Sequence, residues 1–194
     1  MTAPTKPMIR GYSLQQTAKY LDTQFEPSVH RRVCTDLPET VRSAMGSFQP
    51  GEWYPREYSS ALFRAIAQAK NNEQDSYQDL VRCGEFIATE ATNTFLKLLM
   101  RIMSPTLFAK KVPEFWKRDQ RGGYFESDVS GADHALIKMR LADVEGYDHI
   151  GIVSIGWIQF GMVALGKKNV KIAQKGWSFT RPGPREIEYE VTWS

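Results

Sequence analysis

Cysteine and histidine are scarce in this chain of 194 residues, with only two of the former and three of the latter. Cys34 and Cys83 lie far apart, too few for the disulfide framework of a small secreted domain. Both fall in apolar-flanked helical stretches and are expected to be free, buried thiols. His30 and Cys34, four residues apart, would share a helical face and form half a zinc site. A structural zinc takes four ligands and no second pair stands out, so no metal site is assigned. Excess charge is also lacking. A net charge of +3 is too mild for a protein that must neutralise several phosphates, which argues against nucleic acid. A phosphate loop, a dinucleotide fingerprint, a zincin helix and a nucleophile elbow are all missing, and no catalytic residue is assigned. The opening "MTAPTKPMIRGYS" has no apolar core of an export signal, so residues 1–12 are read as a flexible arm and a cytoplasmic location is expected.

A long hydrophobic run is missing too, although one stretch comes close. "GYDHIGIVSIGWIQFGMVALG" (146–166) is the most apolar segment, but Ser154, Gln159 and four glycines interrupt it from Ile150 onward. A span needs about 20 predominantly apolar residues, so no membrane crossing is predicted. On a helical wheel, Gly151, Ser154 and Gly161 fall beside Ile158 and Leu165, a side flat enough to lie against a sheet. Trp157, Phe160 and Ala164 fall elsewhere, and a helix apolar nearly all round must be covered on more than one side. The segment is predicted to be a buried helix over 149–165.

From 13 to 118 the period is helical. Leu14, Ala18, Leu21 and Phe25 recur at helical spacing, with Ser13 as the expected N-cap. Two short helices are expected on either side of Pro38, and a long one over 75–103 with Leu80, Cys83, Ile87, Phe95 and Leu98 in one stripe. Ser104-Pro105 restarts the chain with a cap followed by proline at the first helical position; a kink or restart is expected at Pro113. Over 122–194 the period shortens. Ala135, Ile137 and Met139 alternate with Leu136, Lys138 and Arg140, and Ile187, Tyr189, Val191 and Trp193 alternate with glutamates and a threonine. Both read as antiparallel strands wet on one face. "GGYFESDVS" and "NVKIAQKGWSFT" are further strands, the latter with a bulge near Gly176 to repair its parity. The fold class is α+β: one domain over 13–194 in which N-terminal helices pack with a C-terminal twisted antiparallel sheet crossed by the buried helix.

Aromatic residues are abundant, Trp53, Tyr54, Trp116, Trp157, Trp177 and Trp193 among them. Most belong in a core; a minority could line a cavity for a flat or fatty ligand. The ligand-binding candidates are Phe86, Phe95, Trp116, His134, Trp157 and Phe160. His134 beside Asp133 and His149 beside Asp148 are the only acid–base candidates, yet neighbouring side chains in a strand diverge to opposite faces.

"EWYPREYSSALFRAIAQ" (52–68), "SPTLFAKKVPEFWKRDQRGGYFE" (104–126), "GIVSIGWIQFGMVALGKKNVKI" (151–172) and "IEYEVTW" (187–193) together resemble a bacterial, myxobacterial-type paralogous family. That family is similar to the 4-vinyl-reductase domain and, through it, to haem-NO-binding and TRAPP-like domains. The resemblance implies helices on a twisted antiparallel sheet, often dimeric, with an apolar cavity in some members. Relatives often carry cysteines in the last hairpin, and "RPGPREIEYEVTW" has none. The haem-binding branch pairs a proximal histidine with Tyr-x-Ser-x-Arg, a spacing that "YSSALFR" (58–64) does not match. No cofactor is therefore expected.

These observations rank three functions. First is a sensor or adaptor without turnover, binding a lipid-like or aromatic small molecule, or a protein partner, beside the buried helix. Second is an assembly subunit acting through a homodimer or larger complex, with Tyr77, Phe95 and Trp116 in contacts. Third is an enzyme using His134 or His149 with Arg140.

Overall fold

The computed structural model describes residues 6–92, 100–140, 147–175 and 186–194, and the side chains within these ranges except those of Tyr147 and Asp148. The chain opens with a short strand, β1 (Met8–Arg10), that runs directly into α1 (Gly11–Gln24). The expected flexible arm is therefore corrected from residue 8 onward. Ile9 is buried, and β1 is the middle strand of a small antiparallel sheet, between β2 (Trp53–Pro55) and β3 (Gln120–Arg121). Trp53 is clasped there by two guanidiniums, with Arg10 4.0 Å and Arg121 4.1 Å from its ring centre. Because α1 begins at Gly11, Ser13 does not cap it; Ser13 lies in the first turn and its carbonyl accepts from Thr17 Oγ1.

Helices α2 (Pro27–Asp36) and α3 (Glu39–Ala44) break at Pro38 as the sequence predicts. Next come α4 (Glu57–Gln68) and α5 (Glu73–Ala91). Asn72 caps α5 by accepting from Asp75 N at 2.9 Å. The helix ends at Ala91, short of the expected 103, where Thr92 turns extended and its hydroxyl bonds back to Ala88 O. The rest of the expected stripe, Phe95 and Leu98, lies outside the described residues.

α6 (Pro105–Asp119) starts as the sequence predicts, with Ser104 Oγ accepting from Leu107 N at 3.1 Å and Pro105 at the first position. It runs through Pro113 without restarting. A four-stranded antiparallel sheet follows in the order β4 (Tyr124–Val129), β5 (His134–Arg140), β7 (Glu186–Thr192), β6 (Lys171–Lys175). Its register places Ile137 opposite Tyr189, Ala135 opposite Val191 and Met139 opposite Ile187. These six residues, all buried, form the inner face, while Lys138 and Glu188 pair on the outer face at 3.1 Å. Gly176 and its predicted bulge lie outside the described residues.

Between β5 and β6 the chain forms α7 (Tyr147–Ala164), the interior helix read from the sequence. Its sheet side is Gly151 and Ser154. Tyr189 OH donates to Gly151 O at 2.8 Å, and a side chain on Gly151 would strike Ile187. Its opposite side packs on α5 through Gly84 and Gly156. The architecture is α+β, with α7 held between the antiparallel sheet and the N-terminal helices. No described helix is long and apolar enough to cross a membrane.

Candidate functional site

α7 leaves a gap on the flank where α6 leans over β4. Ser127 Oγ fixes that approach by donating to Ala109 O at 3.0 Å, and Trp116 stacks on Phe125 with ring centres 5.5 Å apart. The resulting cavity holds about 210 Å³. One wall is α6, with Phe108, Val112, Phe115 and Trp116; another is α7, with Val153, Trp157, Phe160 and Met162; the floor is β4 and β5, with Phe125, Val129 and Ile137. Apolar walls with a few polar groups are the usual composition of a small-molecule site.

The polar exception is Arg56. It sits at the turn between β2 and α4, with its backbone fixed at both ends: its N–H donates to Pro7 O, and its carbonyl accepts from Ser59 Oγ and Ser60 N. Its side chain lines the cavity at 1% exposure. Nε and Nη2 are buried with no hydrogen-bond partner among the described residues. Burial pulls its pKa down to about 10, so it still carries its charge at neutral pH. Two things offset that cost in part: the charge of Glu57, and Trp116, whose ring centre is 5.4 Å from the guanidinium. A cation–π contact contributes up to about 2 kcal/mol when desolvated, whereas burying an ion costs on the order of several kcal/mol. The aromatic contact does not close that gap. Asp119 also borders the cavity, but its carboxylate is committed to Arg118 at 2.7 and 2.9 Å. Trp116 Nε1 and Trp193 Nε1 are further buried donors on the lining, and Gln120 Oε1 a buried acceptor, without partners among the described residues.

Of the ligand-binding candidates, Trp116, Trp157 and Phe160 meet at this cavity. Phe86 does not; it packs edge-on against Tyr20, at 5.6 Å, on the α1 side of α5. Phe95 lies outside the described residues. His134 is absent from the lining and sits half-exposed on β5, 3.9 Å from Glu190 across the outer face. Strand parity explains this: Ala135 and Ile137 take the inward positions, so His134 must point outward. His149 is also off the lining, near Arg64 of α4, with burial and that charge holding its pKa down to about 4. His30 lies between Asp22, at 2.9 Å, and Cys34 Sγ, at 3.4 Å. No group of three or more metal-ligating side chains occurs among the described residues. Cys83 is buried and Cys34 half-buried, both free, with burial raising each thiol's pKa. Sequence reasoning missed Arg56. It stands in "WYPREY" with nothing in its spacing to separate it from a surface arginine.

The chain has the α+β fold of H-NOX domains. Solved structures that it resembles include the Fe(II) unliganded H-NOX protein from K. algicida, with a TM-score of 0.71 at 10% identity over 96% of this chain and 97% of that one. An H-NOX protein from S. oneidensis in the Fe(II)NO ligation state matches with a TM-score of 0.60 at 11% identity, covering 96% and 99%. No family model and no curated protein matches the sequence. The haem-NO-binding side of the sequence resemblance is thus supported, at the level of fold.

This likeness overturns the expectation that no cofactor is involved: the solved neighbours include Fe(II) H-NOX proteins, and another is described by the modulation of heme redox potential through protein-induced porphyrin distortion. The side chains decide how far that carries over. Haem iron is held by histidine, cysteine, methionine or tyrosine. No histidine, cysteine or tyrosine lines the cavity among the described residues; Met100 and Met162 are the only side chains there of those types. A histidine-ligated haem does not fit this lining.

Proposed function

We propose that the chain is a small-molecule-sensing module whose ligand occupies the cavity between α6, α7 and the sheet. The observation that carries this reading is an apolar enclosure with a buried cation in its wall, in a fold shared with H-NOX proteins. α6 is the reporting element. It covers the cavity and continues directly into β3, which pairs with β1. A ligand that wedges α6 from β4 therefore tilts the small sheet as well. The aromatic excess and the interior glycine-rich helix, both visible in the sequence, serve the enclosure. Native mass spectrometry of freshly purified protein, with tryptophan-fluorescence titration against fatty acids and hemin, tests the reading. A bound non-covalent mass or a saturable titration is expected, lost in Val112→Trp, which fills the cavity. A bare mass with no titration response from any probe overturns the proposal.

A second reading rests on exposed apolar side chains: Ile102 at 81%, Leu107 at 48% and Val163 at 58%. Under it, a protein partner or a second copy of the chain covers the start of α6 and the end of α7. Light scattering across a concentration series would show a dimer, and a monomer throughout would remove the homomeric form. Trp116, expected at such a contact from the sequence, faces the cavity instead.

A further inference from the structure

Arg56 is the only cation on the described lining, and apolar walls do not explain it. We infer that the cavity takes an apolar carboxylate, its head group received by the Arg56 guanidinium and its body lying along the Trp116–Phe125 wall. This rests on the small-molecule reading above and names the ligand class.

Three observations carry it. Arg56 is 1% exposed, projects into the cavity, and presents Nε and Nη2 without a partner among the described residues. Those two nitrogens form one side of the guanidinium fork, the side that meets both oxygens of a carboxylate. Of the acids near it, Asp119 is already paired to Arg118 and Glu57, whose charge favours the cationic form, is exposed, so among the described residues no carboxylate lies within ion-pair distance of the guanidinium. A cation fixed in an apolar enclosure is costly to the empty protein and becomes favourable once an anion enters. The residue is also fixed in position, because Pro7, Ser59 and Ser60 hold its backbone.

The rest of the lining narrows the anion. One guanidinium with two single-proton indole donors, Trp116 Nε1 and Trp193 Nε1, suits a monoanion. A phosphate dianion would call for further cations, and the described lining holds none. The body must be apolar and flat or flexible, to lie against Phe108, Phe115, Trp157 and Phe160. An aliphatic acid and a flat aromatic monocarboxylate share this chemistry, and paired acid and ester probes separate them.

The full chain, stripped of co-purified ligand, is titrated by tryptophan fluorescence with dodecanoate and methyl dodecanoate, and with 2-naphthoate and methyl 2-naphthoate. At least one acid is expected to bind tenfold or more tightly than its ester. Arg56→Met, close in shape and uncharged, should remove that preference while leaving ester binding in place. It should melt no lower than wild type when empty, since it relieves an uncompensated charge. If acid and ester bind alike to wild type, or if Arg56→Met keeps the preference, the inference fails and the small-molecule reading stands. If no probe binds wild type, both fail. Should Arg56→Met not fold, the acid-to-ester ratio of the wild-type chain still decides.

Discussion

Gly84 of α5 and Gly156 of α7 face each other so closely that neither position has room for a side chain. A Cβ on Gly84 would lie 2.0 Å from Val153 O, and one on Gly156 would lie 2.1 Å from Val81 O. The obstacles are backbone atoms, which cannot rotate away. The contact sets how deeply α7 sits between α5 and the sheet, and so the width of the cavity on its flank. Gly84→Ala and Gly156→Ala should each destabilise by about 2–3 kcal/mol or more, the upper end of overpacking costs. For a chain of this size that lowers Tm by roughly 2–4 °C per kcal/mol. Calorimetry showing either variant within a degree of wild type would contradict the packing described.

On the other side of α7, Tyr189 ties the helix to the sheet. Its hydroxyl donates to Gly151 O inside the core. Tyr189→Phe keeps the ring and loses the bond, and should cost about 1 kcal/mol in urea denaturation. A neutral result would mean that α7 is positioned by packing alone.

Ser104→Ala removes the cap of α6 and leaves Pro105 in place. A loss of about 1 kcal/mol is expected, typical of an N-cap serine. Because α6 roofs the cavity, hydrogen exchange should accelerate first in the turn that contains Leu107, whose N–H loses its acceptor.

His149 makes stability depend on pH. Its folded pKa of about 4 lies below the value of roughly 6.5 in an unfolded chain, chiefly through burial, with Arg64 adding repulsion. The unfolded chain therefore takes up the proton first as pH falls. The contribution is complete above about pH 6.5 and is lost progressively toward pH 4. The imidazole is partly exposed, which places its share at about 1–2 kcal/mol, in the lower part of what such a shift allows. His149→Asn should flatten the decline in the urea midpoint between neutral pH and pH 4.5, and an unchanged slope would refute the assignment.

Long-period features were legible in the sequence. The alternation in 134–140 and 187–193 gave the inner face of the sheet because one side is dry and the other wet, which fixes register. Residues 149–165 read as interior because they are apolar all round, and two of the glycines that dilute the segment, Gly151 and Gly156, turned out to be its closest approaches. Short features were hidden. β1, β2 and β3 are two or three residues each, too few to show a period, so Met8–Arg10 looked like an arm. α5 ended at Ala91 inside a continuous apolar stripe, where Thr92 turns extended, and nothing in the periodicity marks that point. Trp116, Trp157 and Phe160 were identified by residue type alone and share the cavity; Phe86 and His134 were chosen on the same ground and do not. Arg56 was invisible, since burial of a charge depends on elements far away in the chain.

β1 lies in the middle of its sheet, hydrogen-bonded on one side to residues 53–55 and on the other to 120–121. Met8 and Ile9 therefore cannot complete their pairing until Gln120 and Arg121, more than a hundred residues further on, have been synthesised. On the ribosome, Ile9 and Trp53 wait with a hydrophobic edge uncovered until α6 has emerged and delivered Gln120. A nascent chain stalled before that point would be a good client for a chaperone, and the cavity would close later still, once α7 and Trp193 have followed.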